Sequence, residues 1–358
     1  MIDVIARWDT RKAYTHIAAV VARELCRRTG FGGGINLSER VLSDYVDIFA
    51  VTRKEGKQLF AFVEPPLWGI GALARTYRSE KDTSIYLSPA STNMRAEDVE
   101  EAVAFGTIFV PSQWSKFAVE EAFREVKVTC PQIRTLKLGV PVVYAEGRDR
   151  VYALRQSRRD RGQPYRVCHF TGDFDRKGTD VLLRAWPKVK EAYGNVCLTV
   201  HTIDMMDTLY QFAASLDLLE PSVSIVTPLE PGIGALPHEL FEIMAHNDLV
   251  VCPSRGEGFG LLGFAALVAG VPLCTTAASG EEYLSQWPDC WTSIATVGMG
   301  QCGFYAEPGL MAVVETAAVE VAIIEALSNL EKMETAQQQH AAKAWRHVWG
   351  GDEAMENI

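Results

Sequence analysis

The sequence predicts an α/β protein built from two doubly wound domains, and three observations predict it. Short β-rich apolar runs alternate with helix-length amphipathic stretches from end to end, the pattern of parallel strands joined by covering helices. With 358 residues the chain is too long for one ordinary core and long enough for two. Between two stretches of that alternation lies Glu146 to Arg166, rich in arginine and without an apolar period, which reads as a connector.

The elements follow in order. In the front part, strands are expected at Asp3–Ala6, Val46–Val51, Leu59–Val63, Ser84–Leu87, Thr107–Val110 and Ile133–Leu138, with helices notably at Tyr14–Arg28 and Gln113–Glu125. The connector is expected to be partly helical. The pattern then restarts with strands at Arg166–Thr171, Asn195–Thr202, Val223–Thr227, Leu249–Cys252 and Pro272–Thr275. Helices at Asp180–Ala192, Asp207–Ser215, Pro237–His246 and Gly260–Ala269 alternate with them, and the tail is read as helical over Leu310–Lys332 and Ala336–Val348. The resulting division is a front domain at 1–145, a basic connector at 146–165, a back domain at 166–335 and a last helical segment at 336–358.

Charge is distributed unevenly. Residues 1–145 carry 19 basic and 17 acidic side chains, 146–166 carry 7 and 3, and 167–358 carry 9 and 25, within a net charge of −10. An acidic back half commonly means solubility alone. The basic connector, with Arg148, Arg150, Arg155, Arg158, Arg159, Arg161 and Arg166, is either a solvated charged loop or the place where a polyanionic partner would touch, and Arg158 and Arg159 are the candidates for that contact. No apolar run reaches the ~20 residues of a membrane span, and Met1 to Trp8 lack the build of a signal peptide, so a cytoplasmic protein is expected. The eight cysteines form no C-x-x-C pair and several lie in apolar runs, as buried reduced thiols do.

The strongest chemical signal follows the buried run Val250-Val251-Cys252. After Pro253 comes Ser254-Arg255-Gly256-Glu257-Gly258-Phe259-Gly260, leading into the apolar helix that begins at Leu261. A glycine-rich turn at a strand's carboxyl end lets backbone approach a ligand, and the unpaired N–H groups of the following helix suit a phosphate. Glu257, an acceptor only, is suited to sugar hydroxyls rather than to phosphate. Taken alone, the run is also what a tight strand-to-helix turn requires.

Together with Pro228-Leu229-Glu230, Leu236-Pro237-His238-Glu239-Leu240, Asn247 to Ser254 and Ala269-Gly270-Val271-Pro272, this stretch resembles the donor domain of GT-B glycosyltransferases of the glycogen-synthase-like family, glycosyltransferase family four. Upstream, Gly172 through Arg176-Lys177-Gly178 resembles that family's phosphate-binding segment. The likeness runs over roughly residues 165–285. It is looser in front, where Phe109 to Trp114 and Leu138-Gly139-Val140-Pro141 resemble the end of the acceptor domain, and the last helix with Trp345 resembles the segment that crosses back to it.

The resemblance implies two Rossmann-like domains facing across a cleft, and transfer of a sugar from a nucleotide-diphosphate donor, a UDP-sugar above others, to a hydroxyl with retention of configuration. It implies no further cofactor and no metal. The donor site would comprise Arg176, Lys177, Pro228, Leu229, Gly256, Glu257, Gly258, Phe259, Gly260 and Leu261, with Glu257 and Lys177 nearest the chemistry. His16, in the opening turn of the first helix, could orient donor or acceptor, against the plainer reading of an exposed polar residue. The usual glycine-rich turn near the donor phosphates is replaced by Thr10-Arg11-Lys12-Ala13-Tyr14, so Arg11 or Lys12 would reach them or the acceptor.

Two departures stand out. Ala265 occupies the place of the family's second glutamate, assigned to the ribose, and Asp173 the place of an arginine. Asp173-Phe174-Asp175 imitates a metal-binding D-x-D, but is better read as a turn. His169 and His201 are read as core or cleft lining. For the acceptor, charge favours a polyanion, either a hydroxymethylated base flipped from duplex DNA or a lipid-linked acceptor at an anionic membrane. A non-catalytic nucleotide-sugar or nucleic-acid binding protein of the same fold is the alternative from another class.

Overall fold

A computed structural model of the chain describes residues 87–348 apart from 90, 91, 93, 95, 137, 203–205, 219–222, 227–236 and 303–308, with 237 and 302 as backbone alone. Before residue 87 it describes the backbone of the strands at 2–5, 35–38, 48–50, 59–63 and 83–86. The expected helix Tyr14–Arg28 lies outside the described residues.

The first sheet has seven strands: β1 (Ile2–Ile5), β2 (Ile35–Ser38), β3 (Ile48–Ala50), β4 (Leu59–Val63), β5 (Thr83–Leu87), β6 (Thr107–Val110) and β7 (Gln132–Thr135). Their order is β2-β1-β3-β4-β5-β6-β7. The expectation of a purely parallel sheet fails at β3, which runs antiparallel to both β1 and β4. The connection between β3 and β4, residues 51–58, is shorter than the dozen or so residues that a parallel crossover takes. β2 was not anticipated: its polar Asn36 and Ser38 follow Gly32-Gly33-Gly34, and the strand is too short and mixed to stand out.

Helices Ala96–Ala102 and Gln113–Val126 follow β5 and β6. The second is capped by Ser112, whose hydroxyl oxygen accepts from the Ser115 N–H, and it closes at Lys127 in the left-handed region. The connector is more ordered than expected, folding into helices Val143–Glu146 and Arg148–Asp160.

The second sheet is wholly parallel and comprises β8 (Tyr165–Thr171), β9 (Val196–Thr202), β10 (Val223–Val226), β11 (Leu249–Cys252), β12 (Leu273–Thr275) and β13 (Trp291–Ser293), in the order β10-β9-β8-β11-β12-β13. Both faces are buried, as strand alternation shows directly. Leu249 and Val251 enter one core with Val181, Trp186 and Ile323, while Val250 enters the other with Phe264, Val268 and Trp287. Helices Thr179–Tyr193 and Thr316–Ser328 supply the first core, Leu261–Ala269 the second. Burying side chains of this size contributes roughly 1.5–3 kcal/mol each.

The tail needs a correction. Helical pieces are expected from Leu310 to Lys332, but Gly309–Val314 forms β15, paired antiparallel with β14 (Thr296–Cys302), and the helix begins at Thr316. The β-branched pair Val313-Val314 fits a strand, and Glu315 is extended before the helix starts. Helices Leu330–Gln339 and Ala341–Ala344 and a 3₁₀ turn at Trp345–His347 follow, after which Val348 bridges to Val140. The described cysteines are free thiols, Cys168, Cys274 and Cys290 being buried. Among the described residues no helix is long and apolar enough to cross a membrane.

Candidate functional site

Strand order places the site. From β8 the chain steps outward through β9 and β10, then returns to β11 on the other side of β8 and steps outward again through β12 and β13. The direction reverses between β8 and β11, the switch point outside whose strands' carboxyl ends open α/β sheets bind ligands. The loops leaving those two ends are 172–178 and 253–260, the segments the sequence singled out.

Arginines lock the loops together. The Arg255 N–H donates to the Arg176 carbonyl at 2.7 Å, and the Arg255 guanidinium forms a two-armed pair with Asp180 at 2.7 and 2.8 Å. Arg176 in turn donates to the Gly256 carbonyl at 3.1 Å and to Asp173 at 3.1 Å. Asp173 therefore serves as a turn-holding acceptor for Arg176, consistent with the turn reading of Asp173-Phe174-Asp175.

At the centre stands Glu257. Lys177 Nζ donates to Glu257 Oε1 at 2.5 Å, Ser254 Oγ donates to the same oxygen at 2.7 Å, and Arg176 lies 3.5 Å from Oε2. Burial alone would raise this carboxyl, but Lys177 and Arg176 and the hydrogen bonds from Lys177 and Ser254 outweigh it and hold the group below the ordinary glutamate value. An ionised carboxylate and two cations thus meet at the mouth of a helix whose first N–H groups point outward. Gly260, in the left-handed region at φ 77°, makes the turn into that helix; a side chain there would also strike Glu281 and Tyr283.

A third wall comes from the segment after β12. The Glu257 N–H donates to Ser279 Oγ at 2.9 Å, Ser279 donates through Oγ and N–H to Glu281 Oε2 at 3.0 and 3.1 Å, and Tyr283 OH donates to the Gly260 carbonyl at 2.8 Å. Burial, reinforced by the nearby Glu257 carboxylate, pushes Glu281 up to about 8, so it is largely protonated at neutral pH. Sequence reasoning missed Ser279, Glu281 and Tyr283, and gave Ser254 and Arg255 no role of their own within the run it singled out. The adjacent acids Glu281-Glu282 just beyond the Leu273–Thr275 strand were the available signal.

Ala265 is buried within the second core, so its helix turns an apolar face inward there. His169 is buried, its Nδ1 2.9 Å from the Val251 carbonyl and its Nε2 2.9 Å from Thr179 Oγ1; His201 stacks on Phe170 with centroids 5.2 Å apart. Burial lowers both imidazoles to about 4, which leaves them neutral packing groups.

Arg158 and Arg159 are the main correction. Arg158 is buried and donates to Asp248 at 2.9 Å, while Arg159 forms a two-armed pair with Glu334 at 2.6 Å through each nitrogen. Arg155 lies 3.4 Å from Glu334 and donates to the Gly270 carbonyl at 2.6 Å, Arg148 donates to the Leu267 and Val268 carbonyls, and Arg150 pairs with Glu242. Arg148, Arg155, Arg158 and Arg159 dock the connector helix onto the second domain and offer no exposed basic patch, while Arg150 stays at the surface in its pair with Glu242. Arg11, Lys12, His16, Pro228 and Leu229 lie outside the described residues.

Residues 165–295 match the family model described as glycosyl transferases group 1. Among curated proteins, the chain is 29% identical over 174 residues to the D-inositol 3-phosphate glycosyltransferase of Corynebacterium jeikeium, a match covering 45% of this chain and 39% of that protein. It is 30% identical over 148 residues to the same enzyme of Corynebacterium aurimucosum, covering 38% and 33%. The chain therefore spans well under half the length of these curated relatives. Among solved structures, WaaG, a glycosyltransferase involved in lipopolysaccharide biosynthesis, superposes with a TM-score of 0.62 at 14% identity over 93% of this chain and 92% of that one. HepE of Anabaena, in complex with UDP and glucose, superposes with a TM-score of 0.54 at 16% identity over 91% and 84%. The chain has the GT-B fold, and its residues 165–295 are similar to the glycosyl transferases group 1 family.

Proposed function

We propose that this protein transfers a sugar from a nucleotide-diphosphate donor, a UDP-sugar, to a hydroxyl acceptor. The observation that carries the reading is the Lys177–Glu257 pair, with Arg176 beside it, at the switch point and beside the start of helix Leu261–Ala269. Lys177, Arg176 and the N–H groups at Phe259 to Leu261 would hold the pyrophosphate and stabilise the charge that grows on it as the sugar leaves. Glu257 would accept hydrogen bonds from the sugar hydroxyls. Most of the rate gain is then positioning and electrostatic stabilisation. The choice of UDP is supported by HepE, whose structure holds it. Retention of configuration follows the resemblance of the donor segment, with the leaving phosphate taking the acceptor proton.

For the acceptor, the case for a polyanion, DNA or an anionic membrane, rested on the basic front half and the connector arginines. With Arg158 and Arg159 engaged inside the protein, a hydroxyl on a small or lipid-linked molecule becomes the favoured acceptor and a hydroxymethylated base the lesser one. The test is release of UDP from a panel of UDP-sugars, with and without small alcohols, glycolipids and hydroxymethylated duplex DNA. The reading predicts release that one acceptor class stimulates well above hydrolysis. Nucleotide binding without release under any condition would instead identify a non-catalytic binding protein.

A further inference from the structure

The helix Gln113–Val126 begins where the first domain meets the glycine-rich turn. Ser112 Oγ accepts from the Ser115 N–H at 3.0 Å as helix cap, and its own proton goes to the Gly258 carbonyl at 2.6 Å. One turn on, Ser115 Oγ donates to the same carbonyl at 3.0 Å, with the Pro89 carbonyl a longer alternative at 3.4 Å. Both serines are buried, at 2% and 0% exposure, so each hydroxyl needs this partner or carries an uncompensated desolvation cost. Two donors on one carbonyl use both of its lone pairs. Gly258 leaves room for the approach, because a Cβ there would lie 2.2 Å from Ser88 Oγ. The same helix start reaches the third wall of the site, the Trp114 N–H donating to Glu282 at 2.9 Å.

We infer that Ser112 and Ser115 are positioning residues that clamp the Gly258 carbonyl and thereby aim the Phe259 N–H into the donor crevice. A trans peptide is planar, so its N–H points opposite to its carbonyl. Fixing the Gly258 carbonyl toward the first domain fixes the Phe259 N–H away from it. The neighbouring groups resist rotation of this peptide. Glu257 N–H is tied to Ser279, and the Phe259 ring packs 5.2 Å from Phe264 and 5.3 Å from Tyr283. Hydrogen bonds to a carbonyl also strengthen its peptide N–H as a donor. The first domain therefore sets the phosphate-binding geometry of the second without touching the donor, and the crevice is fully formed only when the two domains meet at this point.

The inference rests on the donor-site reading, and the experiment separates the two. Binding of UDP and of uridine is measured by calorimetry for the wild type, Ser115→Ala, Ser112→Asp and Ser112→Thr, with thermal unfolding alongside. Ser112→Asp keeps a capping acceptor but has no proton to give and sets a negative charge against the carbonyl; Ser112→Thr keeps both functions. The clamp predicts about fivefold weaker UDP binding for Ser115→Ala and a larger loss for Ser112→Asp. It also predicts uridine binding within twofold of wild type for both, and recovery with Ser112→Thr. UDP affinity unchanged in both folded variants, or equal losses for UDP and uridine, would overturn the clamp. A wild type that binds no nucleoside diphosphate would remove the donor-site reading, and the clamp with it.

Discussion

Glu257 and Glu281 lie in one crevice and are held in opposite protonation states, Glu257 kept ionised chiefly by Lys177 and Arg176, Glu281 kept protonated by burial beside that charge. Their consequences for pH differ in sign. Because the folded-state value of Glu281 is raised, its favourable contribution is complete below its ordinary value of 4.5 and is lost as pH rises toward about 8. Glu281→Gln, a neutral isostere, is therefore expected to gain in melting temperature relative to wild type as pH goes from 5 to 9; a difference that stays flat would refute the assignment. Lys177→Met should leave Glu257 buried without its nearest cation, at a cost of about 2–3 kcal/mol at pH 7 that shrinks on acidification, measurable by urea unfolding. His169 and His201 act in the other direction. Their lowered values favour the neutral rings, so the stability they give is present above 6.5 and is lost as pH falls toward about 4, and His201→Leu should flatten that acid limb.

At the scale of elements, the connector helix Arg148–Asp160 shows what composition could not say. Seven arginines in one stretch predict exposure, yet three of them, Arg155, Arg158 and Arg159, find partners in Asp248, Glu334 and the carbonyl of Gly270, which come from elements remote in sequence and are invisible until the fold brings them together. Arg158→Ala should take from Asp248 its nearest cation, leaving it the Arg166 N–H and the more distant Arg159, and cost about 3 kcal/mol in unfolding experiments, whereas Arg161→Ala, on an exposed residue, should change stability by under about 0.5 kcal/mol. The strands of the second sheet were legible because a strand buried on both faces must be apolar throughout, as Leu249–Cys252 is. Trp291–Ser293 and the β14–β15 hairpin were not. The first is a short edge strand, and the second is rich in glycine and runs straight into the helix-forming residues after Thr316. Within the site, the two loops carrying Lys177 and Glu257 were readable from their glycine spacing. Ser279, Glu281 and the serine contacts to Gly258 were not, because ordinary polar residues acquire meaning only from what faces them.

Across the whole molecule, the described strands form a 7-stranded sheet, a 6-stranded sheet and a 2-stranded hairpin, with the crevice at the point where the 6-stranded sheet reverses its winding. The likeness to WaaG and HepE over most of the chain agrees with that architecture. Donor binding in this crevice depends centrally on Lys177 holding the nucleoside diphosphate. Calorimetric titration of UDP into wild type and Lys177→Met, the variant first shown to be folded, tests it most directly. The account predicts saturable one-to-one binding to wild type and a loss of about 30-fold or more in the variant, the scale of one charge-assisted phosphate contact in a partly buried site. Equal affinity in the two proteins, or no binding to either, would contradict it.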